Sequence, residues 1–227
     1  MFDKLRKAFL GSGKEAAAET RPSQLTNPVS EWAAAHGFAV AHQSTPGQSL
    51  ALKGKVEGRP WRIEIGKPVR KYIHGEELRA RAELGIDENL AALVMNRKLK
   101  DTLERQAYSM ITDTLQTTAD PSLPEEMRWL AMYEEVGWEK LPNPFWHRYS
   151  VLSDKREHAM QWVDEHLAAL LMDWPEPSPS LETPFMVLLL RGKGYMRMQY
   201  EPADMPTLQH AAAIFTAACE SALRIRA

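Results

Sequence analysis

Histidines, one cysteine and several carboxylate pairs are the residues with reactive side chains in this chain, and their spacing argues against most familiar chemistries. There are seven histidines. His158 and His166 sit eight positions apart on one predicted helix, about 12 Å along its axis, too far to share one metal ion. No HExxH run and no Cys/His cluster occurs, so no metal and no cofactor is expected. Cys219 lies beside the apolar stripe of the last predicted helix, where a thiol is inert. No serine stands in a GxSxG elbow. Glu125-Glu126 and Glu134-Glu135 are adjacent on helices, and adjacent helical residues do not face each other, so neither pair is a good acid/base dyad. The expectation is a protein without a catalytic site, with a site assembled from distant residues as the alternative.

Two glycine-containing runs suggest phosphate loops and fail on their surroundings. Around Gly11-Ser12-Gly13-Lys14, Ala8 occupies the place of the first glycine and Glu15 that of the Ser or Thr, and no strand precedes the run. Gly192-Lys193-Gly194 joins two predicted strands, which makes it a hairpin turn.

Three surface patterns point instead to binding. The first ten residues, MFDKLRKAFL, set Phe2, Leu5, Ala8 and Phe9 at helical spacing, with Lys4, Arg6 and Lys7 off that stripe. Such a tip suits an anionic membrane surface or a groove on a protein partner. At roughly 1 kcal/mol per basic residue, membrane binding through it would be weak and reversible. A second pattern is a basic belt, Lys53, Lys55, Arg59, Arg62, Lys67, Arg70, Lys71, Arg79 and Arg81. Several of these share the solvent face of predicted strands, and Lys53, Lys55, Arg62, Lys67, Arg70 and Lys71 form a candidate anion-facing surface, with a merely solvated sheet face as the alternative. Nucleic acid is a poor partner for it, because the overall pI is about 6.4 and only Trp61 and Tyr72 interleave as stacking platforms. The third is an aromatic segment in which Trp129, Tyr133, Trp138 and Trp146 either line a groove or seal a junction between subdomains.

Composition sets the frame for these patterns. The chain has 227 residues, 44% of them apolar, enough for a sizeable core. A single cysteine rules out an internal disulfide framework and agrees with a reducing, cytoplasmic compartment, or the cytoplasmic face of a membrane. No run is apolar enough to span a bilayer, and Lys4, Arg6 and Lys7 interrupt what would be the core of a signal peptide. Charge is uneven: residues 1–100 carry 17 Lys and Arg against 11 Asp and Glu, whereas the remainder carry 11 against 19. A charged surface would therefore orient the molecule.

The elements follow from periodicity. A polar tether, 11–23, leads into a helix capped at Asn27, with Pro28 in its first turn and Gly37 past its end. Strands are predicted at 38–43, 49–56 and 59–66, the last two joined by Glu57-Gly58. A short helix is predicted at 75–84, a strand at 91–96 and a long helix at 98–115. Ser122 and Glu125 suggest a capping box for a helix closed by Gly137. After a Pro142-Asn143-Pro144 turn come a strand at 148–152 and one helix opened by Asp154, with Ala159, Val163, Leu167, Leu170 and Leu171 inward. A proline-rich crossover, a strand at 185–190 apolar on both faces, a partner strand at 195–200 and an Ala-rich helix at 206–224 complete the chain. The order is α+β, with helices on one face of antiparallel sheets. The segments ALVMNRKLKDTLE and YSVLSDKREHAMQ echo each other and suggest two related halves. The expected organisation is a tip and tether over 1–23 and subdomains over 24–120 and 121–227.

Residues 145–201, FWHRYSVLSDKREHAMQW through FMVLLLRGKGYMRMQY, resemble part of the soluble domain in a family of uncharacterised bacterial membrane-associated proteins. The shared pattern is a strand ending in Asp, a helix and an apolar hairpin. The resemblance implies an α+β fold and brings no activity or site residue with it. The expectation is a non-enzymatic adaptor or scaffold for a protein partner, tethered through its tip, or alternatively an assembly module whose element order resembles secretion chaperones.

Overall fold

The computed structural model describes residues 28–41, 47–114 and 124–225. The tip residues Phe2, Lys4, Leu5, Arg6, Lys7 and Phe9, and the capping residues Asn27 and Ser122, lie outside them.

Nine strands form one sheet in the order β1-β2-β3-β4-β9-β8-β5-β7-β6, and every neighbouring pair is antiparallel. The strands are β1 (Ala39–Val40), β2 (Gln48–Val56), β3 (Arg59–Gly66), β4 (Glu77–Glu83), β5 (Ala92–Asn96), β6 (Glu134–Val136), β7 (Tyr149–Ser153), β8 (Phe185–Leu190) and β9 (Lys193–Gln199). The helices are α1 (Pro28–Ala35), α2 (Arg97–Thr114), α3 (Glu125–Met132), α4 (Asn143–Arg148), α5 (Arg156–Trp162), α6 (Glu165–Met172) and α7 (Met205–Arg224). The α+β class expected from the sequence is the class observed.

Alternation along the strands explains the two faces. In β3, Trp61, Ile63 and Ile65 are buried while Arg62 is exposed. Glu57 and Gly58, both at positive φ, make the two-residue turn that joins β2 to β3 with the sheet's natural twist. One face collects Leu52, Ile63, Leu78, Met196, Val187, Val94 and Val151, under a layer that includes Trp162, Leu167 and Phe215 from α5, α6 and α7. The alanines of α7 let it lie close to the strands: a Cβ on Gly194 would stand 3.2 Å from the Cys219 sulfur. That packing is tied by hydrogen bonds, since the Trp162 indole donates to the Ala218 carbonyl at 2.9 Å and the Ser221 hydroxyl donates to the Trp162 carbonyl at 2.7 Å.

The expectation that helices cover one face is corrected by α2 and α3. In β8 and β5, Met186, Leu188, Leu93 and Met95 face away from the main core, and they need cover of their own. Leu99 and Leu103 of α2 and Met127 and Trp129 of α3 supply it. This second layer stops over β8. Among the described residues no helix covers the same face of β2, β3 and β4, α3 reaches β9 only at its edge, and cross-strand pairing places Lys53, Arg62, Glu64, Arg79, Arg81, Tyr195 and Arg197 there.

Four local expectations are also corrected. Residues 77–83 form a strand rather than a helix, because Leu78, Ala80 and Ala82 all turn inward at period two while Arg79 and Arg81 stay partly exposed. The first predicted strand shrinks to Ala39–Val40. Asn143–Arg148 is a short helix with Pro at its start, a position where the missing N–H costs nothing. The helix predicted after Asp154 divides at Val163 and Asp164, because the Asp164 carboxylate accepts from Leu167 N at 2.8 Å and caps a second helix.

The strand β5 lies between β7 and β8, so strands from both parts of the chain share one sheet. The crossover that precedes β8 is pinned by Asn96, whose amide donates to Leu181 O at 2.9 Å and accepts from Phe185 N at 3.0 Å.

Candidate functional site: an arginine-lined hollow on the open half of the sheet

Where the α2–α3 layer ends, its edge and the bare strands enclose a hollow of about 320 Å³. Five arginines line it: Arg62 of β3, Arg79 and Arg81 of β4, Arg197 of β9 and Arg70 from the β3–β4 connection. Its apolar floor and wall are Met186, Leu188, Tyr195 and Trp129. Sheet register produces this cluster, because Arg62 pairs with Arg81, Glu64 with Arg79 and Arg79 with Arg197. Like charges set opposite each other are unfavourable unless counter-ions intervene, and the counter-ions here are glutamates.

Two of those glutamates are almost fully buried. Glu126, in the first turn of α3, is 1% exposed and Glu77 of β4 is 0% exposed. Oε1 of Glu126 accepts from Arg70 Nε at 2.5 Å and from the Tyr72 hydroxyl at 3.0 Å. Oε2 of Glu77 accepts from Val69 N at 2.7 Å, and its Oε1 lies 3.2 Å from Arg197 Nη1. Arg197 Nη1 is also 3.9 Å from Glu126. Burial alone would ease the proton off Arg70, but the hydrogen bond and charge of Glu126 outweigh it and hold the guanidinium protonated above its ordinary range. Burial, reinforced by the Glu126 charge, pushes the Tyr72 hydroxyl far up, so it stays a donor. The network locks α3 against the strand connection beneath it.

Nearer the open strands the pairing thins. Arg81 donates to Glu83 at 2.5 Å and stacks over Tyr195, 5.8 Å from the ring centre. The Arg81 hydrogen bond, with help from Lys193, holds the Glu83 carboxyl below the usual range. Among the described residues Arg62 and Arg79 have one acidic partner between them, Glu64, at 3.5 and 3.8 Å. Lys53, opposite Arg62 on β2, has no ion-pair partner among the described residues. Among the described residues, the buried Arg79 Nε and Glu126 Oε2 make no hydrogen bond, while Arg197 Nη1 and Glu77 Oε1 meet only as the ion pair at 3.2 Å. The surplus is cationic and is concentrated on Lys53, Arg62 and Arg79.

The belt read from the sequence is thus divided. The structure brings Lys53, Arg62 and Arg70 to this face. Lys71 lines a separate, larger cleft of about 730 Å³ beside α2, where Lys98 and Arg105 alternate with Glu182 and Glu201. Lys55 lines a groove with Trp32, Phe38 and α7, and Lys67 covers Gly47. Arg197 is the residue that sequence reasoning missed. Its signal was present in β9, where Met196 and Met198 alternate with Tyr195 and Arg197. The aromatic segment is divided too: Trp129 and Tyr133 belong to the α2–α3 layer, whereas Trp138 packs edge-on against Trp146 at 5.2 Å in the main core.

Among the described residues, no group of three or more His, Cys, Asp or Glu is placed to hold a metal ion, and no helix is long and apolar enough to cross a membrane. Cys219 is buried, and burial raises its thiol well above the ordinary value. His158 hydrogen-bonds Asp154 at 3.1 Å, and His210 bonds Leu170 O at 2.7 Å, so both serve packing.

Among the described residues these features define an α+β protein built on one nine-stranded antiparallel sheet, with the main core on one face and the α2–α3 layer on part of the other. No protein-family model and no curated protein matches the chain. Among solved structures, it is similar to the crystal structure of the mycobacterial trehalose monomycolate transport factor A, TtfA. The TM-score is 0.46 at 11% identity, over 86% of this chain and 90% of that one. That score is below the level at which a shared fold is inferred.

Proposed function

We propose that the protein is a non-enzymatic adaptor that holds a protein partner on the open half of its sheet. The observation that carries this reading is the incomplete second layer: the partly buried Tyr195 and the cations Lys53, Arg62 and Arg79 lie together on strands that α2 and α3 do not cover, beside the edge where those helices bury Met186 and Leu188. A sheet face with an apolar floor and a charged rim has the make-up of a recognition surface, a buried centre inside a polar border. Nucleic acid is disfavoured by the pI of about 6.4 and by the neutralisation of Arg70, Arg81 and Arg197 by buried or neighbouring glutamates.

On this proposal the chain works in the cytoplasm, and the tip with Phe2, Lys4, Leu5, Arg6, Lys7 and Phe9 adds weak attachment to an anionic membrane surface. The test is affinity capture from cell extract with the intact chain and with a version starting at Ser23, alongside co-sedimentation with phosphatidylglycerol vesicles. The expected result is one protein retained by both versions and vesicle binding by the intact chain alone. Capture of no protein by either version would reject the adaptor reading, and equal sedimentation of both would reject the tether.

A further inference from the structure

The partner's chemistry can be taken further, resting on the adaptor reading. We infer that the hollow receives an acidic peptide segment of the partner, with carboxylates on Arg62 and Arg79 and an apolar side chain against Tyr195, at the edge of the buried Met186, Leu188 and Trp129.

Charge complementarity is the first support. Arg62 and Arg79 share the Glu64 carboxylate, at 3.5 and 3.8 Å, and Lys53 has no ion-pair partner among the described residues, so this edge of the hollow carries more positive than negative charge. Glu126 shows how the same site treats a carboxylate that reaches it: one oxygen takes both the Arg70 Nε and the Tyr72 hydroxyl. Guanidinium groups favour carboxylates because their N–H donors match the two oxygens in plane.

An unmet donor is the second support. Arg79 Nε is buried and makes no hydrogen bond among the described residues, and Arg79 lines the hollow, whereas Arg197 already meets Glu77 at 3.2 Å. A buried donor without an acceptor is costly, so an oxygen brought to it gains more than it would at an exposed arginine.

The apolar floor is the third. Met186 and Leu188 lie beside Arg197 and Tyr195 in register, and Trp129 walls the site from α3. Free phosphate would leave that floor unused. A lipid headgroup would have to reach past the edge of the α2–α3 layer. A segment mixing glutamate with leucine or phenylalanine uses both parts of the site.

The test measures binding of a labelled twelve-residue peptide in which pairs of glutamates alternate with single leucines, by fluorescence anisotropy, to the full chain. Controls are the same peptide with lysines for glutamates, sodium phosphate as competitor, and phosphatidylglycerol vesicles. Variants are Arg62→Glu with Arg79→Glu, the milder Arg62→Gln with Arg79→Gln, and Lys98→Glu in the separate cleft beside α2. The glutamate peptide is expected to saturate the intact chain. Each arginine lost should weaken it about tenfold, the size of one charge-assisted contact, and Lys98→Glu should leave it unchanged. Circular dichroism of each variant confirms folding, and the glutamine pair carries the result if the charge reversals do not fold. Absence of saturation by the intact chain, equal affinity in the glutamine pair, equal binding of the lysine peptide, or binding to vesicles alone would overturn the inference. Such an outcome, with a protein still captured from extract, would leave the adaptor reading standing and remove only the acidic segment.

Discussion

Glu126 and Glu77 are the residues on which the site is built. Removing one partner of a buried ion pair strands the other charge away from water, and this is far more damaging than losing an exposed pair. Glu126→Ala should therefore destabilise the protein by about 3 kcal/mol or more, measured from urea unfolding. Reversing the exposed Lys140–Glu165 pair should change stability by less than about 1 kcal/mol. Glu135 provides a pH test. Burial would raise its carboxyl, but hydrogen bonds from Lys100 and Arg97 hold it below the ordinary value. A carboxyl depressed in the folded state adds stability above its unfolded pKa of about 4.3, and that contribution is lost as pH falls through the lower folded value. The stability gap between the natural chain and Glu135→Gln should be present at pH 7 and close below about pH 4, at no more than about 1 kcal/mol because the side chain is partly exposed. A gap that widened on acidification would show that the pair acts otherwise. At this scale the sequence was legible for charge and not for burial. Arg62, Arg70, Arg79 and Arg81 stand within a short basic run, whereas a glutamate in a helix's first turn, such as Glu126, ordinarily faces water. Nothing local marks it as the buried counter-ion of Arg70.

At the scale of elements, periodicity was reliable where apolar residues dominate and misleading where small or charged ones do. The runs at β3 and β8 declared their faces directly. In β4, Leu78, Ala80 and Ala82 alternate just as cleanly, but Arg, Ala and Glu favour helices and Gly85 resembles a helix stop. The pairing of β4 with β3 and β9 overrides that preference. The break between α5 and α6 is a case of capping chemistry hidden inside an apolar stripe. Asp164 caps α6 through Leu167 N and also meets Arg224 of α7 at 2.8 Å. Asp164→Ala should cost about 1 kcal/mol in urea unfolding, the ordinary value of an N-cap. Asp164→Asn, which retains the acceptor, should recover most of it. Equal losses in the two variants would assign the effect to Arg224 instead.

For the whole molecule, the main consequence is the sharing of one sheet by strands from both parts of the chain. With β5 between β7 and β8, and β4 paired to β9, unfolding should be a single transition in urea, with fluorescence and far-ultraviolet circular dichroism coinciding. Two separated transitions would instead support independent subdomains over 24–120 and 121–227. The same pairing carries Arg197 from far along the chain to stand beside Arg79, a juxtaposition that depends on strand order and not on any local pattern. Among the described residues it also leaves part of one face without a helix, with Lys53, Arg62 and Arg79 on it, and the proposed function rests on that surface. The most direct measurement is affinity capture from extract by the full chain and by its Arg62→Glu, Arg79→Glu variant under identical salt. Retention of one protein by the natural chain and its loss by the folded variant is the expected result. Equal retention by both would contradict a partner seated on the open half of the sheet.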